Sequence, residues 1–199
     1  MTKPAFLMRL AMGAFFSLAA ALPALAADIY KLDPMHTAIL WHVDHFGFSH
    51  PSGKFMHVDG ALTLDEKNPA ASKVEVTIPI ATVESGVPQL DEHLKSKEFF
   101  DAATFPTASF VSDKVDVTGK DTAIVHGTLT LHGVAKPVAL NVKLNKLGEN
   151  FFKKMTAGFT ASATIKRSDF GMNAYLPGLS DDVRLDIESE ATLADGDKK

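Results

Sequence analysis

Apolar and polar positions alternate with period two through most of the chain after residue 27. Val74, Val76, Ile78 and Ile80 hold one parity and Lys73, Glu75 and Thr77 the other. Successive side chains on a strand point to opposite faces, so this segment reads as a strand with one buried face. The pattern recurs at 30–32, 36–46, 57–65, 107–118, 123–131, 138–144, 155–165 and 183–193. Within 107–118 the apolar phase changes at Ser112-Asp113, which predicts a bulge. Turn formers separate the segments: Asn68-Pro69, Gly119, Gly133, Gly148 and Pro177-Gly178. Short connections imply antiparallel neighbours. A sheet with one apolar face must either close into an up-and-down barrel or pair as a sandwich. Strands of ten residues, roughly 33 Å long, suit a deep barrel better.

Residues 88–101 break the period, and within them Pro88 to Lys97 predict a helix that ends before Phe99. Pro88 suits a first helical turn. Asp91 and Glu92 come early and Lys95 and Lys97 late, as the helix dipole favours, and Asp91–Lys95 has the spacing of an ion pair. Leu90 and Leu94 form a narrow apolar stripe. Phe99, Phe100 and Phe105 follow, outside any strand. They either plug one end of the barrel or line its mouth.

The stretch 36–55 carries the candidate site. Ile39, Trp41, Val43 and His45 share one parity, so a long strand here would present an apolar wall ending in a histidine. Trp41 is the single tryptophan of the chain. His45 is then either a buried histidine bonded to its surroundings or an anchor for a ligand's polar head. Small residues on inward parities (Gly127, Ala157, Ala161, Ala163, Ser189, Ala191) point to internal space, because a packed core avoids so much small lining. The alternative is a core filled from the opposite wall. The run 166–172 ends a strand with charge. There Arg167 either ties the barrel end to Asp169 or stands at a pocket mouth.

Composition narrows the function. The 199 residues suffice for one domain with a sizeable core. Lys3 and Arg9, the apolar run 10–22 and the small-x-small triplet Ala24-Leu25-Ala26 read as a signal peptide, 1–26, cleaved after Ala26. That leaves a domain at 27–194 and a charged tail at 195–199. No later segment has the length of a membrane-spanning helix. The formal net charge is −4, and loss of Lys3 and Arg9 makes the chain more acidic, which disfavours nucleic acid and anionic surfaces. With no cysteine, thiol catalysis and thiolate metal sites are excluded. His36 and His42 lie six residues apart, His42 and His45 on opposite faces, and no HExxH spacing occurs, so no metal is expected. There is no G-x-S-x-G elbow, and Asp91, Glu92 and His93 fan out around a helix. The chain is read as a non-enzyme with no cofactor.

In order along the chain stand Tyr30-x-Leu32-Asp33-Pro34-x-His36-Thr37, Trp41-x-Val43-x-His45-x-Gly47 and Gly53-x-Phe55. Then come His93-Leu94-Lys95-Ser96-x-x-Phe99-Phe100-Asp101, Phe105-Pro106-x-x-x-Phe110-x-Ser112, Gly127-x-Leu129-Thr130-Leu131-His132-Gly133-Val134-x-Lys136-Pro137 and Arg167-Ser168-Asp169-Phe170-Gly171-Met172. Together they resemble the YceI-like family, with Thr37 where Ser is usual, Trp41 where Phe is usual and Phe105 where Tyr is common. The resemblance implies an all-β, extended eight-stranded antiparallel lipocalin-like barrel with one short helix at an end. It also implies export to the periplasm and a tunnel for a polyisoprenoid, an isoprenoid quinone or a similar long-chain amphiphile, with a homodimer among the assemblies known in the family. Strand parity and motif match together give the expected ligand-binding set: Ile39, Trp41, Val43, His45, Phe99, Phe100, Phe110, Phe159, Arg167 and Phe170. His45 and Arg167 are its head-group candidates. The competing function is a periplasmic interaction or accessory protein with a filled core and no lipid.

Overall fold

Two strands share one edge of the last strand, and this arrangement organises the whole molecule. The computed structural model describes residues 27–194; the expected signal peptide and charged tail lie outside them. The last strand, β11 (Asp182–Leu193), borders β10 (Met155–Lys166) along one side. Its other side is divided. Ala191 to Leu193 pair with β1 (Asp28–Leu32), and Arg184 to Glu188 pair with β2 (Ala38–His42). Thus β1 and β2 are two halves of one barrel stave, broken at 33–37.

The break is local chemistry. Asp33 Oδ1 accepts from the Met35 N–H at 2.9 Å and Pro34 interrupts the ladder. The next two staves are divided in the same way. β3 (Ser52–Phe55) pairs with β2, and β4 (Asp59–Leu64) pairs with β1. β5 (Lys73–Pro79) pairs with β4, and the short β6 (Val83–Glu84) pairs with β3. β7 (Thr107–Val117), β8 (Thr122–Leu131), β9 (Val134–Glu149), β10 and β11 then follow in order. The result is a closed, eight-stave, antiparallel barrel in which sequence neighbours are spatial neighbours.

The predicted bulge is present: the β7–β8 register shifts between Ser112 and Lys114, and Ser112 Oγ accepts from the Val74 N–H at 2.8 Å. The predicted helix is shorter than expected. α1 spans Pro88–Lys95, because Ser96 turns the chain out of it and the Phe100 N–H bonds back to the Leu94 carbonyl. The expected Asp91–Lys95 pair is not made. Asp91 accepts instead from the Ser85 N–H and hydroxyl (2.7 and 2.5 Å), and Lys95 turns to Glu92 at 3.0 Å. The expected long strand over 36–46 is also corrected. β2 stops at His42, and the chain folds into a tight 44–49 turn closed by Asp44 Oδ1 and the Gly47 N–H (2.9 Å). α1 and the segment after it close the barrel at the end where β6 has no β7 beside it. Together with the 167–181 connection they form a cap.

Candidate functional site: an apolar cavity along the barrel axis

The barrel is not filled. A cavity of about 510 Å³ runs along its interior, within the range of roughly 300–1,000 Å³ usual for small-molecule sites. Its wall is made by the inward parity of the staves, as in Val74, Val76, Val125, Leu129, Leu140 and Leu185. Ala123 and Leu131, eight residues apart on β8, both line it, which gives a length of roughly 26 Å along that strand.

The two ends differ. At the α1 end the lining residues Ile80, Leu94, Phe99, Ala108 and Met172 are buried, Val43, Phe100, Leu179 and Val183 are half-buried, and none of these is exposed. Phe100 packs edge-on against Phe55, ring centroids 5.4 Å apart. At the opposite end the lining passes into exposed residues: Glu66, Pro69, Lys73, Gly119, Lys120 and Asp121. Wall residues in that half, such as Leu62, Leu64, Val74 and Leu144, are only half-buried, because they face the cavity. The cavity is therefore blind at the helix and open at a charged rim. A molecule with a long apolar tail and a polar head fits that polarity.

One polar pair interrupts the apolar wall. Thr37, 2 % exposed, lies 3.3 Å by its Oγ1 from Ser189 Oγ, and both line the cavity. The Trp41 indole N–H is buried with no hydrogen-bond partner, and its ring lies over Gly53 on β3, where a Cβ would come 2.7 Å from Cε2. Glycine at 53 is what lets the indole lie flat in the wall.

Eight of the ten expected residues line the cavity: Ile39, Trp41, Val43, Phe99, Phe100, Phe110, Phe159 and Arg167. Two do not. His45 is exposed in the 44–49 turn, its N–H bonded to the Ser49 carbonyl at 2.9 Å. Its parity with the wall ended when β2 stopped at His42. Phe170 is 1 % exposed but packs behind the cap, and its carbonyl accepts from His132 Nδ1 at 2.9 Å.

Arg167 lines the blind end, but its charge is already used. Nε donates to the Ser180 carbonyl (2.8 Å), Nη1 to Met172 (2.8 Å) and Nη2 to Leu179 (2.9 Å). Burial pulls its pKa down and the nearby Asp181 carboxylate pushes it back up. Asp181 is held below the usual carboxylate range, first by the Ser168 N–H and also by the Ser168 hydroxyl (2.9 and 2.8 Å). Neither the expected Arg167–Asp169 tie nor an anchor at the mouth is formed; Arg167 stitches the cap.

Of the small residues expected to make space, Ala161 and Ser189 line the cavity. Gly127 instead makes room for the Phe110 ring, and Ala157 and Ala191 pair across β10–β11, both fully buried. The charged rim and the Thr37–Ser189 pair were not anticipated. Charged residues beside turns are commonplace, and nothing local marks those of 64–73 and 117–123 as meeting around one opening. Among the described residues, Asp33, His36 and Glu190 bring three potential metal-ligand atoms within 4.8 Å of one another. They lie outside the cavity, and His36 Nδ1 is bonded to Asp33 at 2.7 Å.

Residues 30–191 match the sequence model of the YceI-like domain. The chain is 41% identical over 169 residues to Protein YceI of Escherichia coli O17:K52:H18, covering 84% of this chain and 87% of that one. It has the same identity, over the same length and shares, with a UPF0312 protein of Pseudomonas aeruginosa LESB58. A crystal structure of the Campylobacter jejuni YCEI protein superposes with a TM-score of 0.68 at 31% identity, over 74% of this chain and 87% of that one. At 16% identity, a Saccharophagus degradans domain described as polyisoprenoid binding shares the fold with a TM-score of 0.66, over 83% and 98%.

Proposed function

The chain belongs to the YceI-like family, and from that premise we propose that it is an exported, periplasmic carrier that holds one polyisoprenoid, isoprenoid quinone or similar long-chain amphiphile inside its barrel, without catalysis. The observation that carries this reading is the polarity of the cavity: apolar along its length, blind at α1 and open at a charged rim. The tail lies toward Phe99 and Phe100, and the head stays among Glu66, Lys73, Lys120 and Asp121. Trp41 and Phe110 define the bore. Each buried methylene contributes about 0.8 kcal/mol, so a few isoprene units supply strong binding, and cavity length then selects among tails. A polyisoprenoid-binding domain built on the same fold supports the choice of ligand class. The filled-core accessory protein has no support in a barrel that encloses this much space.

The test is organic extraction of the protein purified from its native host, followed by mass spectrometry. A near-stoichiometric isoprenoid supports the proposal. An empty extract, together with no uptake of an isoprenoid quinone in a titration of the folded protein, refutes it.

A further inference from the structure

β9 and β10 run on past the rim of the barrel. The β8–β9 ladder ends at Thr122↔Lys143, whereas the β9–β10 ladder continues to Glu149↔Met155. The projecting hairpin tip carries Phe151 and Phe152, 94 % and 78 % exposed, with their rings edge to face at 5.5 Å. The tip is held in one shape: Asn150 Oδ1 accepts from the N–H groups of Phe152 (2.8 Å) and Lys154 (3.1 Å), and the Asn150 N–H donates to the Lys154 carbonyl (2.8 Å). Two large apolar side chains are thus fixed in water by a built turn.

Their surroundings are basic in an acidic protein. Lys143 and Lys146 stand on this projection, and its single acid, Glu149, is neutralised by Lys153 at 3.5 Å, while the whole chain has a formal net charge of −4. The charged residues that line the cavity mouth, Glu66, Lys73, Lys120 and Asp121, balance one another. The position is equally specific. Leu144 and Leu147, on the same strand, line the open end of the cavity, and the Leu144 N–H bonds to the carbonyl of the rim residue Asp121 at 2.7 Å.

We propose that the β9–β10 tip is a bilayer-docking device: Phe151 and Phe152 insert at the headgroup level of an anionic membrane, the lysines hold its surface, and the cavity mouth faces the lipid. Aromatic rings favour that interface, and basic residues beside it are attracted to anionic headgroups. Docking itself does not depend on the ligand reading. The consequence that a tail passes between bilayer and cavity does.

The experiment is flotation of the soluble form that accumulates on expression of the full chain, with vesicles of phosphatidylcholine alone or mixed with phosphatidylglycerol. Binding is expected to the mixed vesicles. It should fall on the order of tenfold in a Phe151→Ser/Phe152→Ser variant, and fall with added salt. Both residues are exposed, so the variant should keep the melting temperature of the parent. Because the chain has no cysteine, an environment-sensitive dye at Phe151→Cys reads insertion directly. The same dye at Ser49→Cys reads the opposite end, where Phe48 is 90 % exposed. A response at 151 and none at 49 supports the proposal. No vesicle binding, equal binding by the double serine variant, or a response at 49 alone overturns it. So does self-association of the parent that the double serine variant abolishes, which would make the tip a protein interface.

Discussion

The ring of Phe110 occupies the space that a side chain at Gly127 would need: a Cβ there would lie 2.6 Å from Phe110 Cζ. The glycine on β8 therefore seats an aromatic of β7 and opens no room for ligand. Gly127→Val should push the ring off its rotamer and lower stability by about 1–3 kcal/mol, as overpacking does. A shift of the urea midpoint at unchanged m-value checks this. A variant as stable as the parent would show that both the Phe110 ring and the Val111 carbonyl, which the new Cβ would meet more closely still, can give way.

Arg167 closes the cap through three carbonyls, and removing it leaves all three without their donor. Arg167→Met should cost about 3 kcal/mol, the worth of one or two hydrogen bonds to a charged group. Arg167→Lys should recover only part, since a point charge cannot reach three acceptors in the fork geometry. Thermal melts of both variants test the order. If the cap is what keeps the tail in, dissociation of a bound isoprenoid should also quicken in Arg167→Met.

Much of this architecture could be read from alternation. The six long strands from β5 onward were legible because one face is buried, and even the Ser112 bulge left a phase change in the sequence, whereas the two-residue β6 left none. What could not be read were tertiary decisions. The parity that put His45 in the wall holds only while the strand lasts, and Asp44 ends it by binding Gly47 in a turn. Phe170 and Arg167 belong to one motif, yet one packs behind the cap and the other faces the cavity. Small residues were equally ambiguous: Ala161 faces space, while Gly127 is covered by a ring brought from another strand.

The Asp33–His36 pair makes stability depend on pH. His36 is raised above its ordinary value of 6.5, first by its hydrogen bond to Asp33, and Asp33 is lowered from 3.8 by the same bond. The raised histidine contributes stability that is fully present below pH 6.5 and is lost as pH rises through its higher folded value. The lowered aspartate contributes above 3.8 and loses its contribution as pH falls through its lower folded value. The pair thus supports the β1–β2 break most strongly between those limits. His36→Gln should flatten the melting temperature between mildly acidic and mildly alkaline pH. An unchanged slope would assign the effect to another group.

Trp41 is the single tryptophan and lies in the cavity wall, so its emission reports occupancy without a label. Addition of an isoprenoid quinone should quench it saturably at one equivalent, whereas a short, water-soluble quinone should quench only by collision. Trp41→Phe should keep the uptake, measured by extraction, and lose the signal. Failure of the long-tailed quinone to saturate would place it outside the barrel.

Ala161 and Gly127 give opposite answers to the same question, and that contrast is the sharpest check on the cavity. Both are small residues on inward parities. Ala161 lines the open bore between Ile187 and Val142, while Gly127 meets Phe110. A phenylalanine at 161 grows into void, so the usual overpacking cost of about 1–3 kcal/mol should be absent and burial of the ring should hold or raise stability. The same ring bars the passage between rim and cap. Ala161→Phe should therefore melt no lower than the parent and yet lose uptake of long-tailed isoprenoids, with shorter amphiphiles retained in the rim half. Calorimetry and the extraction assay on one preparation decide it. A destabilised Ala161→Phe would mean that the space along β10 is smaller than its lining implies, whereas undiminished uptake of long tails would send the ligand along another path.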